Sequence, residues 1–562
     1  MPAGRRSPID RAMRDLVQVH LRGGDGGAMS VDDAVHRASA ISRRNFLRYS
    51  AVAAGSAVLA SCTTGSGADQ PSVSAAATGS ASGDGPRVVI VGAGLAGLTA
   101  AYRLHQAGVA SQVYEARDRI GGRCWSARDW QGGQVCEHGG EFIDTRHVHI
   151  RGIADELGLT LDDLWASWDP SWHSPTWVDG EEVQPKEILA PMDQAAKEIA
   201  RIVTANGSYL ATDATPAAIA FDAMSEAEWI TEATGESMDS AMGRLITQHQ
   251  AGWYGLDPDQ LGATNLLDFY ATDWPGADER YTTNGGNDQI PQGLYQALPE
   301  GSVTLETPLE SVHRRSDGTY EARFGGLADP VVADRLIITV PFNVLKDVDM
   351  TDAGLSELKQ RAIQELSMGT NAKILMQFDR PFADFDSWSG SVQRADDPIW
   401  GTWESGTTDG KDAQGYGMLT VYPGGRVGAS YDAAEPHDVA PRSVVDSTLA
   451  SLDEMVPGLR GAAIGDAWLD FWAIDPWVGG SYAAFGPGDT TSFWGLTGTP
   501  EGAMHLAGEH TSVYSQGYLN GGVESGGRAA AEVLEALGIE NPPGLAKALR
   551  QQQRYEPVYA WT

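Results

Sequence analysis

Three glycines and one carboxylate carry the clearest chemistry in this sequence. Gly92, Gly94 and Gly97 stand at G-x-G-x-x-G spacing, and Glu115 follows eighteen positions after the last of them. That set suits a dinucleotide. Gly92 permits a tight turn, Gly94 lets the backbone approach a pyrophosphate, and Gly97 lets a helix pack close to a strand. A carboxylate at Glu115 is placed to accept from ribose hydroxyls and disfavours an added 2′-phosphate. The flanking elements are the ones this task needs. Val88 to Val91 is a β-branched run that reads as a strand; an Ala-rich helical pattern stops at Gly108; Val113-Tyr114 reads as a second strand ending at Glu115. The helix start offers free N–H groups and a partial positive charge to phosphates. This strand–turn–helix–strand context separates the motif from a chance glycine-rich turn. No cluster of residues at metal-ligand spacing is evident, and no metal is expected.

The continuation from Glu115 to Arg123, EARDRIGGR, resembles the flavin-containing amine oxidase family. That family includes monoamine oxidases, polyamine oxidases, histone demethylases and L-amino acid oxidases. The resemblance extends over roughly residues 86–535. It implies an α/β fold: an FAD-binding Rossmann-like (glutathione-reductase-type) domain with an interleaved α+β substrate domain. By the resemblance, Glu115 and Arg117 border FAD, with Gly122 and Arg123 beside its pyrophosphate. Cys136 to Phe142 resembles the segment that lies against the flavin ring, which brings in Gly140 and Glu141. Phe142 falls where L-amino acid oxidases carry an Arg for the substrate carboxylate, and Arg146 is three or four positions off.

Later motifs continue the likeness. Gly285 to Leu294 resembles the motif that returns the chain to the FAD domain. Val303 to Val312 and Tyr320 to Phe324 alternate as strands, and the resemblance puts the Val312 backbone at the adenine. Leu336 to Pro341 resembles the next FAD-domain strand. Lys373, before an apolar strand ending at Phe378, matches a lysine that holds a water against flavin N5. Asp475 to Tyr482 resembles the D-P-[WY]-x-x-G-S-Y of polyamine oxidases and demethylases. Ser481 stands where mitochondrial monoamine oxidases have a flavin-linked cysteine; serine cannot form that thioether, so non-covalent FAD is expected. Leu506 to Thr511 and Gly517 to Ala530 form a second glycine-rich signature. It implies that Glu509 accepts from the FAD ribityl chain and that the helix opening at Leu519 points its N-terminus at the flavin pyrimidine oxygen.

The implied reaction moves a hydride from the carbon next to an amine nitrogen to flavin N5, with dioxygen as acceptor and hydrogen peroxide as product. Tyr482 and Tyr518 are expected as aromatic walls before the flavin, guiding the amine by contacts of about 0.5–2 kcal/mol. An L-amino acid oxidase, or a flavin-binding partner protein that does not turn over, are the other readings.

Composition bounds the rest. The 562 residues carry a formal charge of −35, although residues 1–62 hold nine Arg against five Asp. So acidic a body argues against nucleic acid or anionic membrane as partners; it could attract cations or serve only solubility. Ser42 to Arg48 matches the twin-arginine export pattern, and Ala51 to Ala60 is apolar but too short to span a bilayer. Leu59 to Cys62 resembles a lipobox with Cys62 as the lipidated residue, and Met29 offers an alternative start. The expectation is a signal at 1–62 and a flexible linker at 63–85. An FAD domain at 86–155, 255–345 and 500–535, a substrate domain at 156–254 and 346–499, and a polar tail at 536–562 complete the division. The product is expected outside the cell or on the outer face of its membrane, with a homodimer left open. Cys124 and Cys136 flank a turn at Gln131-Gly132-Gly133 and could be buried thiols or a disulfide across a hairpin. Trp165, Trp168, Trp172 and Trp177 could pack the insertion or line an access path.

Overall fold

The computed structural model describes residues 85–555 except 167, 168, 170, 184, 273, 396–398 and 409–414, and describes residues 14, 16–18, 20 and 21. The twin-arginine motif, the lipobox with Cys62, and the linker up to residue 84 lie outside the described residues, as does Trp168.

The β-branched run Val88–Val91 is the strand β1, buried along its whole length. It leads through Gly92 (φ +99°) into the helix α1, Leu95–Gln106, which ends before Gly108 (φ +77°). The chain then returns as β2, Ser111–Tyr114. With β3 (Val303–Thr304), β4 (Arg335–Ile338) and β5 (Met504–Leu506) these strands form one sheet in the order β5-β4-β1-β2-β3. Every pairing is parallel, and Val88 lies beside Ser111 on one side and Arg335 on the other. A parallel sheet must be covered on both faces. One face receives α1 and the helix α2, Leu519–Ala536. The other receives an antiparallel three-stranded sheet built from 309–314, 320–324 and 331–333. Helix α2 reaches α1 through glycine: a Cβ at Gly526 would lie 2.1 Å from the Ala96 carbonyl oxygen.

The second body holds an eight-stranded sheet whose central strands are Lys373–Phe378, Gly417–Val421 and Trp400–Glu404. Beside it packs a helical cluster from Pro185–Asn206, Pro216–Asp222, Glu226–Thr234 and Ala241–Tyr254. Residues 263–271 pack into this cluster and not onto the nucleotide sheet, so the return to the FAD half begins near Tyr281, later than position 255. Residues 353–366, assigned by motif order to the substrate half, pack under the nucleotide sheet through Ala353, Leu355, Ala362 and Ile363.

Two other expectations change, and the open choice at the cysteines falls to buried thiols. The front of the supposed signal is not separate from the fold, since Leu16 and Val17 are helical and fully buried in the helical cluster. The C-terminal tail is in part a helix, Pro543–Gln552, that packs back through Leu545 and a His149–Gln552 hydrogen bond of 2.7 Å. The hairpin at Gln131–Gly133 forms with Ala127 opposite Cys136, which leaves Cys124 beyond its paired residues, and both cysteines are free and buried. Among the described residues no helix is long and apolar enough to cross a membrane.

Candidate active site

One cavity of about 440 Å³ runs from the carboxyl ends of β1 and β2 into the second body. Its first third is the nucleotide end. Glu115 accepts from the Ala93 N–H at 2.6 Å and from the Arg117 N–H at 2.9 Å, which fixes the carboxylate at the rim of the cavity. Gly97 is required by the protein itself, because a Cβ there would sit 1.9 Å from the Gly92 carbonyl oxygen. Gly94 is different. A Cβ at Gly94 would meet no protein atom within 4 Å, and one at Gly122 only the Gly94 Cα at 3.5 Å. Both line the cavity; the left-handed backbone at Gly122 (φ +58°) requires glycine by itself, whereas at Gly94 the demand comes from whatever fills the cavity. The chain therefore fits a dinucleotide on its own geometry.

Arg117 also lines the cavity, and its guanidinium is committed to Asp475 at 2.6 and 2.7 Å. Asp475 accepts further from His437 at 3.0 Å; His437 bonds Asp470 at 2.8 Å, and Asp470 bonds His138, another cavity residue, at 2.9 Å. This buried relay was not visible in the sequence, where Arg117, His138 and Asp475 fell in three separate motifs and His437 and Asp470 in none. Burial disfavours charge on these carboxylates, but the bonds from His437 and Arg117 outweigh it and hold Asp475 at about 2. Val312 does not reach the cavity. Its N–H donates to the Asp349 carbonyl at 2.9 Å and its side chain is in the core; Leu309 and Thr307 line the wall instead.

The middle of the cavity joins three motifs. Arg123 donates to Glu509 Oε1 at 2.9 Å and to the Ser481 carbonyl at 2.7 Å. Burial opposes charge on Glu509, and the Arg123 cation wins, so its carboxyl lies below its ordinary range. Gly140 packs on Leu519, where a Cβ would come within 2.5 Å of the leucine side chain, and α2 opens onto the cavity at Leu519.

The far end is the chamber. Lys373 is 4 % exposed at the start of its strand, with Nζ donating to Glu141 Oε2 at 2.8 Å and to the Glu137 carbonyl at 2.9 Å. Trp403 Nε1 donates to the other Glu141 oxygen at 2.9 Å. Tyr482 donates to the Gly252 carbonyl at 2.9 Å and accepts from Tyr422 at 3.4 Å. Burial first, then the neighbouring Tyr422, pushes the Tyr482 phenol well up, so both rings are neutral. Tyr518 donates to Glu279 Oε1 at 3.1 Å and stands edge-on to His147, with centroids 4.9 Å apart. Glu279, which the sequence reading missed, is buried, lines the chamber and adopts φ +43°. Asp144 holds it there by accepting from its N–H. A left-handed non-glycine residue in a site is stored strain that the surroundings must impose. Phe142 lies 5.7 Å from the Trp403 ring. Arg146 does reach the wall, stacked 4.1 Å above Trp274 and donating to the Tyr514 carbonyl. Trp165, Trp172 and Trp177 do not line the cavity.

Comparison with known proteins agrees with this geometry. The family description "Flavin containing amine oxidoreductase" matches residues 95–534. The chain is 23 % identical over 493 residues to amine oxidase [flavin-containing] B of Cavia porcellus, covering 80 % of this chain and 86 % of that protein. It is 23 % identical over 475 residues to the L-amino-acid oxidase of Pseudechis australis, with the same coverage. Among solved structures, cyclohexylamine oxidase from Brevibacterium oxydans shares the fold with a TM-score of 0.68 and 22 % identity, over 81 % of this chain and all of that one. Putrescine oxidase does so with a TM-score of 0.66 and 22 % identity, over 80 % and 99 %. With the nucleotide cradle, the joined glycine-rich segments and the matched family in place, this chain belongs to the flavin-containing amine oxidoreductases.

Proposed function

We propose that this protein oxidises a primary or secondary amine that carries a second cationic group, such as a di- or polyamine, using non-covalent FAD. The supporting observation is the chamber: the neutral phenols of Tyr422 and Tyr482 beside Tyr518, with the carboxylates of Glu279 and Asp268 in the same wall. Bound FAD supplies the hydride acceptor for the carbon next to nitrogen, and dioxygen reoxidises it with release of hydrogen peroxide. The residues do the rest. Tyr482 and Tyr518 flank the amine, and Glu279 fixes Tyr518 while offering negative charge to a distal ammonium. Two of the three Lys373 N–H groups are taken by Glu141 and Glu137; the third holds a water. The imine product then hydrolyses in bulk water. Ser481 donates to Asn371 at 2.7 Å and offers no thiol for a covalent link.

A second reading, an L-amino acid oxidase, draws on Arg146 in the wall. Its partners, Tyr514 and Trp274, and Phe142 at the expected Arg position weigh against it. Anaerobic mixing with putrescine, tyramine, glutamate and leucine separates the readings. Flavin bleaching fastest with the diamine is expected; fastest bleaching with an amino acid reverses the order, and no bleaching supports a non-turnover protein. We further propose export by the twin-arginine route with a lipid at Cys62, on the sequence motifs alone; globomycin-sensitive palmitate labelling of Cys62 tests it.

A further inference from the structure

We propose that residues 14, 16–18, 20 and 21, upstream of the export-like signal, are a fixed part of the substrate chamber, with Arg14 as a positioning residue for its floor. The inference rests on the amine-oxidase reading of that chamber.

The floor is a π-helical turn, Leu267–Ala271, whose Asp268 and Phe269 line the cavity. Such turns are rare and recur at functional sites. The last carbonyls of any helix lack partners within it, and buried ones must find them elsewhere. Donors to four of its carbonyls are identifiable. The Thr272 N–H serves the Leu267 carbonyl at 3.1 Å, and Trp274 Nε1 serves Asp268 at 3.2 Å. Two of these donors come from the far N-terminus: Arg14 Nη2 donates to the Phe269 carbonyl at 2.6 Å, and Gln18 Nε2 to the Ala271 carbonyl at 3.4 Å. A cation at a helix carboxyl end is also favoured by the dipole. The Arg14 guanidinium itself lines the cavity, 5.8 Å from the Phe269 ring centroid.

The segment is anchored on both sides of these bonds. Leu16 and Val17 are 1 % and 0 % exposed in the cluster that contains Leu266, Phe269 and Tyr270. His20 meets Asp193 of the helix Pro185–Asn206 at 3.3 Å. Side chains buried this deeply belong to a wall, since removing them leaves a void among the floor residues.

Two experiments test this. In the full chain, Arg14→Met with Gln18→Leu should raise amide hydrogen exchange at residues 267–271 about ten-fold. It should also raise KM for the amine more than it lowers kcat, with FAD content retained and Arg14→Lys restoring part of the loss. Unchanged exchange overturns the proposal. Separately, a specific protease site placed within residues 63–85 is cut in the purified holo-protein. Co-elution of the N-terminal fragment, or its release with lost protection at 267–271, supports the wall. Release with unchanged or raised turnover overturns it and makes the segment a spacer or a plug. Exchange and co-elution do not depend on turnover, so failure of the amine reading remains distinguishable.

Discussion

Arg123 and Glu509, 386 positions apart, meet at 2.9 Å in the middle of the cavity. The same guanidinium holds the Ser481 carbonyl. One half-buried cation thus ties the first glycine-rich motif to both C-terminal ones, so the nucleotide end and the chamber are set in a single frame. The Glu509 carboxylate also accepts the N–H groups of Ala483 and Gly517, the residues adjoining Tyr482 and Tyr518 in the chain.

Lys373→Met should slow flavin reduction or reoxidation about ten-fold or more, near 1.4 kcal/mol of barrier, with FAD still bound. Stopped-flow absorbance separates the two half-reactions, and unchanged rates in both would remove Lys373 from the chemistry. The substitution also strands the Glu141 carboxylate, at a cost of about 3–5 kcal/mol for a buried charge losing its partner. Lys373→Met with Glu141→Gln should therefore melt at a higher temperature than Lys373→Met alone.

Glu279→Gln keeps a hydrogen-bond acceptor for Tyr518 and deletes the charge. We expect KM for a diamine to rise about ten-fold, equivalent to 1.4 kcal/mol, with a smaller change for a monoamine of equal length. Steady-state peroxide release measures both; equal changes would place Glu279 in support of Tyr518 only.

Non-covalent flavin predicts that acid precipitation of the holo-protein leaves a colourless pellet and yellow supernatant. Flavin retained on the peptide would contradict the environment of Ser481, whose hydroxyl is spent on Asn371.

The relay at His437 predicts a pH-dependent junction between the two bodies. Burial favours a neutral His437, but Asp470 and Asp475 outweigh it and raise the ring above its ordinary 6.5. Its contribution is complete below 6.5 and is lost as pH rises through the raised value. Asp475, lowered from 3.8 to about 2, contributes above 3.8 and fails as pH falls toward 2. The melting-temperature gap between wild type and His437→Asn should be widest between pH 3.8 and 6.5 and narrow at higher pH. A gap independent of pH would show that His437 acts by packing alone.

Much of the nucleotide half was legible because its information is local. Gly92 needs a positive φ and Gly97 a close strand, and both demands act within a few residues. The chamber was legible only where a motif marked it. Val312 was placed by resemblance alone, and the strand 309–314, whose register shifts between Leu309 and Ser311, brings Leu309 to the cavity wall instead. Glu279 gave no signal, because its place beside Tyr518 depends on a turn held by Asp144. The first residues read as an address because their buried partners lie about 250 positions away.

The sequence by itself determined the phosphate cradle, the strand–helix order around it and the family, since backbone sterics and short spacing suffice for these. The tertiary structure alone decided which carboxylates line the chamber, how His138 and Arg117 are linked across the relay, and that Arg14 lies at the cavity wall beside Phe269. These depend on side chains from distant segments sharing one low-dielectric space, where each charge or carbonyl must find its partner across the fold.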